Sequence, residues 1–435
     1  MNLGILVLVA ALILFGLLAF KQINALILAP LVTIFVIVCS GLPILESLKT
    51  AFMPAASDYV TSYFLVFFVG ALFGAVYQHT GAAESISKTL AGLCKGKFVA
   101  PIIMTITGIL TYGGVSGFVV FFVIYPIALN MFKEANLTRR LIPGAISAGC
   151  WTWSMYGPGS PSIQNVIGMN SLGTPSTAAI VPSVIATVGT YVMIFVWLEM
   201  RSRSFSKKGI VFNDPTLKMQ LSPEEMNIDE DKDLPNFWIA MIPIVAILVC
   251  FNLIKLPVET AVFIGVALAT ILMWNRVKGL NAWISVFNEG AANSGVSILN
   301  TAIVVGFGGV VKNTQGFADL VEVLKTLNMP ALVFVMITVA ICAGACGSAS
   351  GGMGVAFNAL TDTYIELGAN LEHVHRIATI AAGTLDSLPH QGAQITLLGI
   401  CKLTHKEAYF DIFITQIVIP FIACFIFIIF ASMGL

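Results

Sequence analysis

Charged side chains are scarce in this sequence. There are 22 basic and 22 acidic residues among 435, or 10% of the chain, where a soluble domain carries about 25%. The two signs cancel, so no net charge draws the chain to nucleic acid or to an acidic partner. Paired cysteines are lacking too: Cys39, Cys94, Cys150, Cys250, Cys342, Cys346, Cys401 and Cys424 lie singly, most of them in apolar runs, and read as small packing residues. These shortages exclude a soluble enzyme, a secreted disulfide scaffold and a disordered protein. The residue alternation of an outer-membrane barrel is missing as well. What is present is apolar: 57% hydrophobic residues and a mean hydropathy of +0.93. Gathered into repeated runs of about 20 residues, they mark an all-α polytopic membrane protein.

The first run, residues 3–20, has no basic leader and no small-residue cleavage site, so it reads as an uncleaved helix. Further runs at 25–40, 62–78, 141–168, 176–200, 237–253, 258–275, 290–311, 377–400 and 409–434 bring the expected crossings to ten. Two other apolar stretches, about 98–131 and about 331–368, are too long for one helix and are interrupted by Tyr112-Gly-Gly-Val-Ser-Gly117 and Gly344-Ala-Cys-Gly-Ser-Ala-Ser-Gly-Gly352. Each half has about 15 residues, or about 22 Å of helix, which suits a re-entrant hairpin better than a span. The distribution of Lys and Arg supports this. With both hairpins re-entrant and both termini outside, 17 basic residues fall on the inner side and five, Lys49, Lys255, Lys312, Lys325 and Arg376, on the outer. One hydrophilic segment, 201–235, with an acidic run from Glu224 to Asp233, reads as a solvated cytoplasmic linker.

The halves flanking this linker resemble each other. Residues 69–90 and 305–327 both open with Val-Gly and close with Lys-Thr-Leu, and Gly41-Leu42 and Gly279-Leu280 precede them at similar distances, on segments that read as interfacial amphipathic helices. A hairpin interruption follows in each half, then a second break: Gly157-Pro-Gly-Ser-Pro-Ser-Ile-Gln164 in the first and Asp386-Ser-Leu-Pro-His-Gln-Gly392 in the second. The expected domains are a repeat over 1–200 (hairpin about 98–131, broken helix about 141–168), the linker, and a repeat over 236–435 (hairpin about 331–368, broken helix about 377–400). With five crossings in each, the second must be inverted, a pattern found in secondary transporters with paired broken helices.

Backbone breaks at membrane depth are tolerated where they line a shared polar cavity. Helix N-termini aimed there offer N–H donors and a positive dipole end to a carboxylate. The candidate substrate-binding residues are therefore Gly114, Ser116, Gly159, Ser160, Ser162, Gln164, Ser348, Ser350, Gly351, Ser387 and Gln391. Asp386 stands in an otherwise uncharged stretch, Ile377 to Cys401, and an ionisable group inside a span usually marks an ion path or substrate site. Asp386 is the candidate for proton coupling, with His390, four residues on, as its partner. Trp151, Trp153 and Tyr156 are weaker candidates for a pocket wall. Glu289 reads as solvated, and His373 and His375 as loop residues. No spacing supports a metal site, a nucleotide loop or a catalytic pair.

The run Leu385-Asp-Ser-Leu-Pro-His-Gln-Gly-Ala393, with Leu397-Leu398 and Leu403-Thr-His-Lys406, resembles the gluconate permease (GntP) family of the ion transporter superfamily, nearest to its D-beta-hydroxybutyrate permease-like members. The Gly-Gly-Val-Ser-Gly and Gly-Pro-Gly-Ser-Pro stretches fit it too, and the resemblance covers nearly the whole chain. It implies a homodimer in the inner membrane, an elevator-type transport domain holding both hairpins, and proton symport of small hydroxy- or amino-acid carboxylates. Gly-Val-Ser and Gly-Ser-Ala-Ser stand where sodium-coupled members often carry Ser-Asn-Thr, so H⁺ is the expected coupling ion and Na⁺ the alternative; no other cofactor is expected. The expected function is import of a small hydroxy-monocarboxylate such as D-beta-hydroxybutyrate or gluconate. The alternatives are a D-serine or other carboxylate carrier and, more remotely, a passive channel.

Overall fold

A segment buried in hydrocarbon must satisfy its own backbone, and a helix does so within one stretch of chain. The computed structural model describes the chain apart from residues 1–2, 22, 84, 87–88, 90–91, 93–96, 113–116, 161, 223–232, 255, 327 and 435. Among the described residues all regular structure is helical. The first half contains α1 (Leu3–Phe20), α2 (Ala25–Cys39), α3 (Ile44–His79), α4 (Val99–Tyr112), α5 (Gly117–Glu134), α6 (Ile142–Trp151), α7 (Ile163–Leu172) and α8 (Ile180–Lys207). The second contains α9 (Phe237–Leu248), α10 (Val258–Leu272), α11 (Leu280–Lys312), α12 (Gln315–Lys325), α13 (Ala331–Cys346), α14 (Ala349–Glu366), α15 (Leu371–Leu385), α16 (Gly392–Ile400) and α17 (His405–Ser432). Among the described residues, α1, α3, α8, α11 and α17 are long and apolar enough to cross a bilayer alone, and shorter apolar helices accompany them.

Helices α3 and α11 form the central pair and run antiparallel, Gly290 against Leu72 and Gly306 against Phe52. The approach needs glycine: a Cβ on Gly306 would stand 3.0 Å from the Phe52 carbonyl oxygen. Small residues at such crossings let helix backbones close up where no hydrophobic force drives them together. The expected spans 62–78 and 290–311 are thus only parts of continuous helices of 36 and 33 residues. The preceding segments are the same helices carried on, not separate interfacial ones. In α3 a π turn, Leu48–Phe52, ends two residues before Pro54, and in α17 a π turn, Ile414–Val418, ends two residues before Pro420. A widened turn relieves the clash a proline ring makes with the preceding turn, so the helix continues through it.

The linker also differs from expectation. After α8 the chain packs back on the protein, burying Phe212, Leu217 and Leu221. Arg140 grips Asp214 with Nε at 3.0 Å and Nη2 at 2.7 Å, and the Lys218 N–H donates to Glu407 at 2.7 Å. Arg139 is buried and donates to the carbonyls of Met219, Cys401 and Lys402. Residues 210–221 therefore form a strap joining the α5–α6 connection to the loop before α17. Three apolar anchors among polar neighbours do not lift hydropathy over a window, which is why the segment reads as solvated. Most of the acidic run, 224–232, lies outside the described residues.

Candidate functional site

One hairpin turn and two helix breaks converge. Helices α13 and α14 meet at Gly347, whose φ of +61° makes the turn, and Ser348 caps α14 by accepting from the Gly351 N–H at 3.1 Å. Helix α6 stops at Trp151. Thr152 leaves the helical region, one turn follows over Trp153–Tyr156, and the chain passes through Gly157–Ser162 before α7. Here Ser162 donates to the Met155 carbonyl at 2.7 Å and caps α7 by accepting from Asn165 N–H at 3.3 Å. Helix α15 kinks at Gly383 and ends at Leu385 with Asp386 as its C-cap, and α16 starts again at Gly392.

These irregular segments enclose a cavity of about 300 Å³. The first break lends Trp151, Met155, Ser162 and Gln164, and the second lends Asp386 and Gln391 to Ala393. The α13–α14 turn lends Gly347 to Ser350, and Thr111 and Gly117 come from the ends of α4 and α5. Of the residues expected from sequence, Ser162, Gln164, Ser348, Ser350, Asp386 and Gln391 line this cavity together. Gly114 and Ser116 lie outside the described residues. Gly159 and Ser160 do not line it: they shape the first break, the Gly159 N–H donating to Ser176 O at 2.9 Å and the Ser160 hydroxyl accepting from Ser162 N–H. The Gly351 N–H is occupied by its cap. Sequence reasoning missed Tyr59 and Tyr63 of α3 and Thr301 and Val305 of α11, which also line the cavity. No motif marks them: Tyr59 and Tyr63 stand in Ser57-Asp-Tyr-Val-Thr-Ser-Tyr63, a stretch without glycine or proline.

Asp386 is 3% exposed, and both carboxylate oxygens are held by neutral donors: Ser387 Oγ at 3.1 Å and Gln391 Nε2 at 2.8 Å. Among the described residues no cation pairs with it. Ser387 thus acts on Asp386 and does not line the cavity. The Oε1 atom of Gln391 is buried with no partner, an orphaned acceptor that a ligand donor or water would satisfy. His390 is not the partner of Asp386. Its Nε2 donates to the Gly344 carbonyl at 2.9 Å, and its ring packs between Phe15 and Phe307, so it ties the second break to the α13 end of the hairpin. Four residues of separation imply one helix face only inside a helix, and the chain here is a turn.

Arg376, counted in an outer loop from sequence, is fully buried in α15. It donates to the carbonyls of Tyr156 (2.7 Å), Ser176 (2.9 Å) and Ala178 and to Asn165 Oδ1 (2.7 Å). His375 joins it, reaching Asn165 Oδ1 at 3.1 Å and Thr174 Oγ1 at 2.7 Å. Both belong to helix α15, not a loop. Together they supply hydrogen-bond partners that the irregular backbone around the first break needs.

No family model matches the chain. It is 32% identical to an uncharacterised transporter, YxjC of Bacillus subtilis (strain 168), over 458 aligned positions covering 95% of each chain. It is 23% identical over 354 positions to an uncharacterised transporter of Haemophilus influenzae, covering 77% of this chain and 76% of that one. Among solved structures, the Alcanivorax borkumensis YdaH transporter, described as having an unusual topology, aligns over 88% of this chain and 87% of its own, with a TM-score of 0.41 and 13% identity.

Proposed function

We propose a carrier function from the premise that the chain belongs to the transporter family of Bacillus subtilis YxjC. On this reading it is a secondary active symporter that imports a small hydroxy-monocarboxylate, of the D-beta-hydroxybutyrate or gluconate kind, with protons. The observation that carries it is the cavity in which the α13–α14 turn, both helix breaks and Asp386 meet. The volume suits a small acid, and the hydroxyls of Ser162, Ser348 and Ser350 with the amides of Gln164 and Gln391 suit a carboxylate beside a hydroxyl. Asp386 has only neutral donors, so a proton is the natural counter-charge for its carboxylate.

The matched order of a long helix, a helical hairpin, a broken helix and a final helix in each half supports two inverted repeats. In an elevator cycle the hairpins and breaks move as one body along α3 and α11, and the protein works as a homodimer in the inner membrane with both termini periplasmic. Counterflow tests the carrier. Proteoliposomes loaded with unlabelled D-beta-hydroxybutyrate take up external label faster than empty ones if a site alternates between the two sides. Equal rates contradict a carrier and favour a pore.

A further inference from the structure

One exposed cation, outside the residues that line the cavity, stands close to its α13–α14 turn. Lys312 ends α11 about three turns beyond Thr301 and two beyond Val305, on the face that lines the cavity. Between them Gly308 packs beneath the α13–α14 turn, where a Cβ would stand 2.8 Å from the Cys346 carbonyl oxygen. That approach brings the Lys312 side chain against the turn. Its Nζ lies 3.5 Å from the point a Cβ on Gly351 would occupy, and Ser348 Oγ lies 3.2 Å from the same point.

Among the described residues no carboxylate pairs with Lys312. An ammonium beside a helix N-terminus faces the positive end of the dipole, an unfavourable arrangement unless an anion sits between them. The opening of α14 leaves room for one. Ser348 occupies the Gly351 and Gly352 N–H groups, while those of Ala349 and Ser350, on the cavity wall, are unoccupied among the described residues. Across the cavity the orphaned Oε1 of Gln391, a residue 7% exposed, independently signals a missing ligand donor such as a hydroxyl.

We propose that Lys312 is the anion-selecting residue of the cavity, its ammonium and the free N–H groups opening α14 together gripping the carboxylate of an entering hydroxy acid. The inference rests on the carrier reading and adds the residue that separates anionic from neutral solutes. The chain end of α11 falls on the outer side by the basic-residue count, where substrate arrives. A cation there raises the local substrate concentration, and salt screens it over about 8–10 Å.

The test is labelled D-beta-hydroxybutyrate uptake by proteoliposomes of the full chain, as KM and maximal rate at low and high salt, with D-beta-hydroxybutyramide as the neutral competitor. Lys312→Gln is expected to raise KM about fivefold with the maximal rate within about twofold, to flatten the salt dependence and to weaken discrimination against the amide. Lys312→Arg restores all three, which separates lost charge from misfolding. A wild-type KM, salt slope and selectivity in Lys312→Gln overturn the assignment and leave the carrier standing. Absence of counterflow in the wild type overturns the carrier reading and this inference with it.

Discussion

At the residue scale two of the buried ionic groups play opposite parts. Arg376 is saturated by backbone carbonyls and the Asn165 amide, whereas Asp386 is held by two neutral donors and borders open space. Of the two, only Asp386 lines the cavity. Replacing Arg376 with Met leaves the carbonyls of Tyr156, Ser176 and Ala178 without their donor, each buried group costing about 1–3 kcal/mol. Arg376→Met is therefore expected to lower the thermal unfolding midpoint in detergent by several degrees. Wild-type stability would show that these carbonyls find other partners. Asp386 was legible from sequence because it is alone in an uncharged stretch. The burial of Arg376 was not, since a charge count treats a cation satisfied by carbonyls like a solvated one.

At the element scale, glycine, serine and proline clusters marked the breaks well. The second break falls at Asp386–Gln391 and the hairpin turn at Gly347–Ser348, inside the stretches expected from their composition. Continuity was harder to read. Nothing in the sequence says that a π turn will carry α3 past Pro54, so an uninterrupted helix looked like two segments. The strap was also missed. Burial opposes ionisation of Asp214, but hydrogen bonds from Thr216 and Arg140 and the Arg140 charge outweigh it and hold the carboxyl below its ordinary value. A depressed folded value means stability that is complete above the ordinary carboxylate range and lost as pH falls through the folded value. The gap in thermal midpoint between wild type and Asp214→Asn is thus expected to be full at neutral pH and to close on acidification. A gap independent of pH would mean the strap is held by Phe212, Leu217 and Leu221 alone.

At the scale of the whole molecule, the scarcity of charge becomes an arrangement. Basic residues gather at the strap and the loops it joins, while Asp386 faces a cavity built from both halves of the chain. Cavity walls from α3 and α11 were beyond sequence reasoning, because Tyr59, Tyr63, Thr301 and Val305 sit in continuous helices whose packing against the breaks is set by tertiary contacts that no local motif records. The most direct test of coupled transport is uptake of labelled D-beta-hydroxybutyrate driven by an inward proton gradient, comparing wild type with Asp386→Asn. The substitution is nearly isosteric, and rotation of the Gln391 amide turns its orphaned oxygen toward the new donor, so the fold is retained. The expected result is gradient-driven accumulation by the wild type and none by the folded variant. Accumulation by Asp386→Asn with an unchanged pH profile would contradict the assignment of Asp386 as the coupling carboxylate.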